Sequence, residues 1–484
     1  MTATVELLEP APPPIAHERV LFVFGGLLLV LLLGALDQTI VATALPTIVG
    51  ELGGLEHLSW VVTAYLLAQT IVTPLLGKLG DLYGRKSMLQ TAIAVFLAGS
   101  ALCGASRTLP QLIVFRAIQG LGGGGVMVTT QAVVGDIFSP RERGRYQGIF
   151  GAVFGLASIA GPLLGGYFTT HLTWRWIFYI NLPVGIVALA VLTAALPSRL
   201  TRVHHAIDYA GFASLAVALA ALTLLTGRSG TGERSPSATV ALIAAAAIAG
   251  IIFLVVERRA KEPVVPLRLF ANRAFASAST VALIVGFALF GSVTYLPLFL
   301  QTVEGASPTQ SGLQMVPMMV GMLIMSILSG QIISRSGKYK RFPVGGTAVM
   351  AVALYLLSRL SVATSVAGVM GVMFLLGLGL GMVMQVLVIV AQNAVEYRDL
   401  GVATSGVTLF RLMGGWLGTA VMGALFATRV EANRARFSQA VAFTDALSTI
   451  FLIATAIVLV GFVLSILMPE HPLRHTVAGS HHPQ

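Results

Sequence analysis

The sequence predicts an all-α polytopic membrane protein of fourteen transmembrane helices, two pseudo-symmetric six-helix bundles plus two inserted helices. Three observations predict it. Hydrophobic residues make up 56% of the 484 and charged residues only 10%, with a mean hydropathy of +0.88; a soluble domain carries about 25% charged residues. The apolar residues fall into runs of about 20 residues or longer, the length that crosses a bilayer. A short polar sequence after the second run also returns, altered, after the tenth.

The runs occupy roughly 20–44, 59–80, 87–106, 109–137, 146–169, 174–197 and 207–227, then 237–257, 274–300, 308–334, 343–361, 364–393, 400–427 and 444–468. The first is too long for a signal peptide's apolar core and has no convincing cleavage site, so it is expected to stay as a spanning helix. Residues 1–19, polar and Pro-rich (EPAPPP), are expected to form a disordered cytoplasmic N-terminus. With that terminus inside, roughly 20 Lys/Arg fall on the cytoplasmic side and roughly 8 on the far side, the asymmetry that orients membrane proteins. An even helix count returns the tail, 471–484, to the cytoplasm. The formal charge of +11 is spread over these short connections and forms no single basic face, which excludes a nucleic-acid footprint.

Several chemistries are missing. The single cysteine, Cys103, excludes a disulfide framework or a cysteine-rich metal site, and helix packing is its plain role. His204 and His205 sit in a cytoplasmic loop, and His481 and His482 in the tail. No Ser/His/Asp set, metal-spaced histidines or phosphate-binding lysine is evident, so no enzyme, metal or cofactor is expected.

The returning polar sequence divides the chain. GKLGDLYGRK (77–86) is echoed by GQIISRSGKYKR (330–341), and aligning Gly84 with Gly337 puts Ser334 where Asp81 stands. Such corresponding segments mark a protein built from membrane repeats. The expected units are 20–198, two inserted helices in 199–262, and 263–470. The inserted pair is rich in Ala, Leu and Ile, with no charge in its apolar centre, and suits lipid-facing packing.

Asp37 is the only acid near the middle of an apolar run. A charge at that depth costs at least about 2.5–3.5 kcal/mol, so function is the first hypothesis. Asp37 lies about 17 residues along an outward-running helix, about 25 Å at 1.5 Å per residue. Arg116 lies about 7 residues below the outer end of the inward-running fourth helix, at a similar level. The two are expected to pair or to share a water network. That pair is either structural or a switch in which a small rearrangement takes up or releases a proton.

Asp81, Arg85 and Lys86 are too near the cytoplasmic edge for a central site, and Asp136 is within reach of Arg85. GLGGGG (120–125) satisfies G-x-G-x-x-G, yet no strand precedes it, so close helix packing is expected in place of a dinucleotide site. Gly151 and Gly155, and Gly161 and Gly165, are each four apart on one face, with Pro162 adding a bend; simple close helix packing is one reading of them and a bend that acts in transport the other. Trp174, Trp176 and Tyr179 fit an interfacial aromatic belt; Asn181 and Pro183 line a pathway or satisfy backbone groups. Gln38, Tyr65, Gln69 and Gln119 in the first half, with Gln385, Gln392, Asn393 and Arg411 in the second, are the candidate substrate contacts. Met315, Met318, Met319, Met322 and Met325 supply adaptable apolar surface or ordinary packing.

Five motifs in order carry a resemblance. LDQTIVATALP (36–46), GKLGDLYGRKS (77–87), IVFRAIQGLGGG (113–124), GLASIAGPLLGG (155–166) and WRWIFYINLPVG (174–185) together resemble the major facilitator superfamily, specifically its fourteen-helix drug:proton antiporter branch. The resemblance covers nearly all of 20–470, although Ala42 stands where the branch commonly has Asn. It implies a proton-coupled exporter of small hydrophobic molecules, working by alternating access in the plasma (inner) membrane as a monomer. The proton gradient would be its energy source.

In that reading Asp37 and Arg116 couple protons. Asp81 would cap a second-half helix starting near Leu400, forming a latch with Arg85, Lys86 and Asp136. The bend at Gly155, Gly161, Pro162 and Gly165 would bias rocking toward export. Members exporting multivalent cations carry second-half carboxylates; here the tenth and thirteenth helices have none, and Glu304 sits at an outer helix end. Small hydrophobic, monovalent cationic or amphiphilic substrates are therefore expected before dications. Export of a lipid, siderophore or self-made antibiotic is the alternative, and a non-transporting receptor or scaffold the alternative of another class.

Overall fold

The computed structural model describes residues 17–53, 58–138, 140–196, 208–226, 235–260, 263–264, 267–306, 308–362, 364–396, 399–434 and 437–473. The Pro-rich N-terminal stretch, His204, His205, His481 and His482 lie outside them, as do the side chains of Ala42 and Pro162.

Among the described residues the chain is all-helical. The first half runs α1 (His17–Leu52), α2 (Leu58–Tyr83), α3 (Arg85–Ala105), α4 (Leu109–Ile137), α5 (Pro140–His171), α6 (Trp176–Tyr179) and α7 (Asn181–Ala195). Then come α8 (Tyr209–Thr226) and α9 (Pro236–Arg259). The rest is α10 (Arg273–Thr302), α11 (Pro308–Gln314), α12 (Val316–Ser336), α13 (Arg341–Leu357), α14 (Val366–Asn393), α15 (Leu400–Arg434) and α16 (Gln439–Leu467). Among the described residues, eleven helical stretches are long and apolar enough to cross a membrane; Tyr209–Leu225 and Arg341–Leu357 are apolar but shorter. The outward face agrees with a lipid surround. On α9, Val240, Ile243, Ile248 and Ile251 are each more than half exposed, a band that water would not tolerate and hydrocarbon does. The chain is a multi-pass membrane protein.

Two runs expected as single helices are interrupted. Residues 174–197 form α6 and α7, and 308–334 form α11 and α12. Proline accounts for both interruptions: Pro183 has no N–H for the carbonyl of Tyr179, nor Pro317 for that of Leu313, so each ladder loses a bond next to the break.

Packing repeats along the chain. α4 lies against α2 and α3, and α1 against α5; later, α14 lies against α12 and α13, and α10 against α15. The two groups meet where α2 touches α15 and α5 touches α12, and the α8–α9 pair sits beside α2 and α15. Gly84 and Gly337, aligned in the sequence, both take positive φ, 91° and 70°, a backbone that side-chain-bearing residues rarely adopt. Gly77 packs on α15 at Gly401 and Ser405, and Gly330 packs on α5 at Gly144 and Gly148.

Candidate functional site

α1 buries a stripe that includes Val30, Leu33, Asp37, Ile40, Ala44 and Ile48, at the three- and four-residue spacing of one helix face. Asp37 is therefore carried inward with its apolar neighbours. Glycines bring the partners to it. Gly120 and Gly124 of α4 lie against the backbone of Tyr65 and Gln69 on α2, and Gly122 lies against Phe96 on α3, while Gly99 of α3 abuts the backbone of Gln119. A Cβ at any of these would overlap backbone atoms, so α4 is wedged between two helices at a spacing only glycine permits.

The result is a closed polar cluster in an apolar surround. Arg116 Nη1 donates to Asp37 Oδ2 at 2.7 Å and to Gln119 Oε1 at 2.7 Å. Gln119 Nε2 donates to Asp37 Oδ1 at 2.7 Å, and Asn181 Nδ2 to the same oxygen at 3.2 Å. Ser100 Oγ accepts from Gln119 (3.1 Å) and Asn181 (2.9 Å) and donates to the carbonyl of Phe178. Arg116 Nε donates to the Val61 carbonyl at 3.2 Å, and its guanidinium lies 4.1 Å from the centre of the Tyr65 ring, a cation–π arrangement favoured by desolvation. Asp37, Ser100 and Gln119 are wholly buried, and Arg116, Tyr65 and Asn181 are 1% exposed. Three donors satisfy both oxygens of an ionised carboxylate, which is what lets a charge sit there.

A second polar group marks the end of the bundle bearing residues 77–86. Asp81 accepts from the N–H of Gly401 (3.2 Å) and of Val402 (3.0 Å), at the N-terminus of α15, where a carboxylate meets unpaired amides and the positive end of the helix dipole. Arg85 pairs with Asp81 and, through Nε, with Asp136 Oδ2 at 3.1 Å. Nearby, Gln392 Nε2 donates to the Gln131 carbonyl (3.3 Å) and to Thr404 Oγ1 (2.9 Å), and Ser326 Oγ to the Gly148 carbonyl (3.0 Å). At this end the two groups of helices are joined.

The remaining sequence candidates fall in different places. Lys86 does not join the cross-helix set: its ammonium donates to the carbonyls of Thr193 (2.7 Å) and Leu196 (2.6 Å), at the C-terminus of α7. Gln119 belongs to the Asp37 cluster. Gln38 and Gln69 face each other at 3.5 Å across a residual cavity of about 10 Å³, lined also by Met127 and Phe154, room for about one water. Gln385 and Arg411 are buried, 3% and 4% exposed. Asn393 lies at the loop-bearing end, against the carbonyls of His471 and Pro472. Gly155 approaches the Met319 carbonyl on α12, Gly161 packs on Thr39 of α1, and the Gly165 carbonyl accepts from Thr169. Pro162 is within α5, and its ring is outside the described side chains. Trp174 departs from the aromatic belt: it is 1% exposed and donates to Glu51 Oε2 at 2.8 Å. Arg175 pairs with Glu51 at 2.7 Å and holds its carboxyl below the usual value.

Sequence reasoning missed Ser100 and the link of Asn181 to Asp37. Depth would have found both. Ser100 is five residues from the end of α3, and Arg116 and Asn181 each stand seven residues past Leu109 and Trp174. All three are rare polar residues in apolar runs at about one level.

Comparison with known proteins gives one answer. The Major Facilitator Superfamily profile matches residues 27–421. An uncharacterized MFS-type transporter of Mycobacterium tuberculosis is 42% identical across 98% of this chain and 73% of its own. Multidrug transporter protein MdtP of Bacillus subtilis is 40% identical across 84% of this chain and 75% of its own. The crystal structure of the human organic anion transporter MFSD10 (TETRAN) superposes with a TM-score of 0.66 at 17% identity, over 94% of this chain and 100% of that one, a likeness of fold.

Proposed function

The chain belongs to the Major Facilitator Superfamily, and we propose that this transporter is a proton-coupled exporter of small hydrophobic molecules, of the fourteen-helix drug:proton antiporter branch. The observation that carries the reading is the wholly buried Asp37, held as a carboxylate by Arg116, Gln119 and Asn181. A purely structural pair at this site is poorly motivated, because apolar side chains of similar volume would serve at no desolvation cost. A carrier needs a carboxylate that can be neutral in one state and ionised in another. Protonating Asp37 would cancel the attraction that keeps Arg116 over Tyr65, freeing α1 and α4 to shift.

Other features support the finer parts. The fourteen-helix reading takes Pro140–His171, Tyr209–Thr226 and Arg341–Leu357 as crossings beside the eleven apolar stretches. The recurring packing suits two six-helix bundles, 20–198 and 263–470, with α8 and α9 inserted. Asp81, Arg85 and Asp136, with Gln392 and Ser326, suit a latch that closes the cytoplasmic end while the other end opens. The names of curated relatives, multidrug transporters and efflux pumps, favour export.

The deciding experiment is transport in proteoliposomes under an imposed pH gradient. Substrate addition should drive proton flux with wild type and none with Asp37→Asn. Gradient-driven transport undiminished in Asp37→Asn would remove Asp37 as the carrier.

A further inference from the structure

Among the described residues, Arg411 is the one buried charge with no partner. Asp37 pairs with Arg116 and Asp399 with Arg268, while Glu257 accepts from the Val264 N–H. Arg143 donates to the carbonyls of Gly135 and Phe138. Arg411, 4% exposed on α15, has no carboxylate in ion-pair range, and its Nη2 meets no acceptor. The charge left over inside the bundle is positive.

Its position is fixed in two ways. Thr404, seven residues earlier and so on the same helix face, accepts from Gln392, which also bonds the Gln131 carbonyl on α4. That face looks toward the junction of the two helix groups. The repeated glycine contacts give the second bearing. Gly401 and Ser405 stand to Gly77 as Gly144 and Gly148 stand to Gly330, and the same offset carries Arg411 onto Phe154. Phe154 lines the small cavity between Gln38, Gln69 and Met127. Arg411 is thus the second-half position that corresponds to Phe154.

Polar groups without partners surround this junction. Gln385 Oε1 and both amide atoms of Gln131 and Gln147 are buried with no hydrogen bond, and Gln385 touches the Cβ position of Gly151, one turn from Gln147. Buried groups of this kind are ordinarily satisfied. An unpaired guanidinium on the helix that borders this junction lacks an oxyanion, and its planar fork fits a carboxylate or similar acid group in two-point fashion.

We infer that Arg411 is the counter-ion of the transported molecule, and that the substrate class is a hydrophobic body bearing a single acidic head. This rests on the reading of the chain as an exporter and reverses the charge preference expected from the sequence. Asp37, the one acid that the sequence places near the middle of an apolar run, already has both oxygens taken by Arg116, Gln119 and Asn181.

The test uses the full-length protein in detergent with three dansyl-labelled alkyl probes of equal length, ending in a carboxylate, its methyl ester or a trimethylammonium. Wild type should bind the carboxylate about tenfold or more tightly than the other two, the size expected for a charge-assisted hydrogen bond in a dry site. Arg411→Gln should bring the carboxylate-to-ester ratio near one, and Arg411→Lys should restore part of it. A wild type with no carboxylate preference, or one for the ammonium probe, overturns the inference even if Arg411→Gln fails to fold. So does an Arg411→Gln protein that keeps the wild-type ratio. The same probes in proteoliposomes separate this claim from the export reading: selective, Arg411-dependent binding without Asp37-dependent transport keeps the first and removes the second.

Discussion

Arg116 Nη1 lies 2.7 Å from Asp37 Oδ2, with side chains 1% and 0% exposed. The pair comes from two helices 79 residues apart in sequence, and no water-exposed path screens it. Such a pair is costly to break from one side and cheap to remove as a whole.

Arg116→Gln should therefore lose about 3–5 kcal/mol, the penalty of leaving a buried carboxylate unpaired. Adding Asp37→Asn in the same chain should recover most of that loss without recovering pH-driven transport. Apparent Tm values in detergent for the four members of the cycle measure this. If Arg116→Gln melts with the wild type, the pair contributes nothing to holding α1 against α4.

Gly122→Ala and Gly166→Ala should differ sharply. A Cβ at Gly122 overlaps the backbone of Phe96, whereas one at Gly166 meets nothing within 4 Å. The first should cost about 1–3 kcal/mol by overpacking. The second should be neutral, or stabilising by up to about 1 kcal/mol, because alanine favours the helix. Thermal unfolding compares them directly, and equal melting points would contradict the close α3–α4 approach.

Asp81→Ala should loosen the start of α15. It removes both acceptors of the Gly401 and Val402 amides, worth about 1 kcal/mol as a helix cap. Ser405→Cys in a Cys103→Ser background should be shielded from a maleimide applied at the loop-bearing end. Asp81→Ala should raise its labelling rate several-fold, and an unchanged rate would show that the cap does not hold this end closed.

The Glu51–Arg175 contact should be acid-sensitive. Arg175 lowers the Glu51 pKa from its usual 4.5. A group whose folded-state pKa is depressed contributes stability above the unfolded value and loses it as pH falls through the folded one. Both side chains are partly exposed, so the contribution is at most a few tenths of a kcal/mol. The Tm gap between wild type and Arg175→Ala should be constant at neutral pH and shrink below about pH 4.5. A gap that widens in acid would reverse the assignment.

Much of this was legible in the residues. A lone acid in hydrocarbon and a lone arginine at matching depth announce themselves, because few alternatives can satisfy either. Eleven of the fourteen apolar runs form, among the described residues, helical stretches long and apolar enough to span a membrane, since backbone groups in lipid must bond within their own segment. Two of these runs remain single apolar stretches of spanning length, and only the helix break inside each was missed, because hydropathy is blind to the single N–H that Pro183 and Pro317 lack.

What the chain order could not supply was which polar groups converge. Gln119 and Ser100 join the Asp37 cluster because Gly99, Gly120 and Gly122 let α2, α3 and α4 approach to backbone contact, and Asn181 joins it from α7, which packs on α3 where Gly185 meets Leu97; each residue alone reads as an ordinary polar interruption. Lys86, by contrast, reads as part of the 77–86 motif, yet the register of α3 against α7 sends it to the carbonyls of Thr193 and Leu196. Composition and periodicity settle that a segment is buried in lipid or protein, because transfer free energy depends on residue type. Partner choice depends on helix spacing and rotation, and those are properties of the packed bundle, where, among the described residues, Arg411 is buried with no carboxylate in ion-pair range and no acceptor for its Nη2.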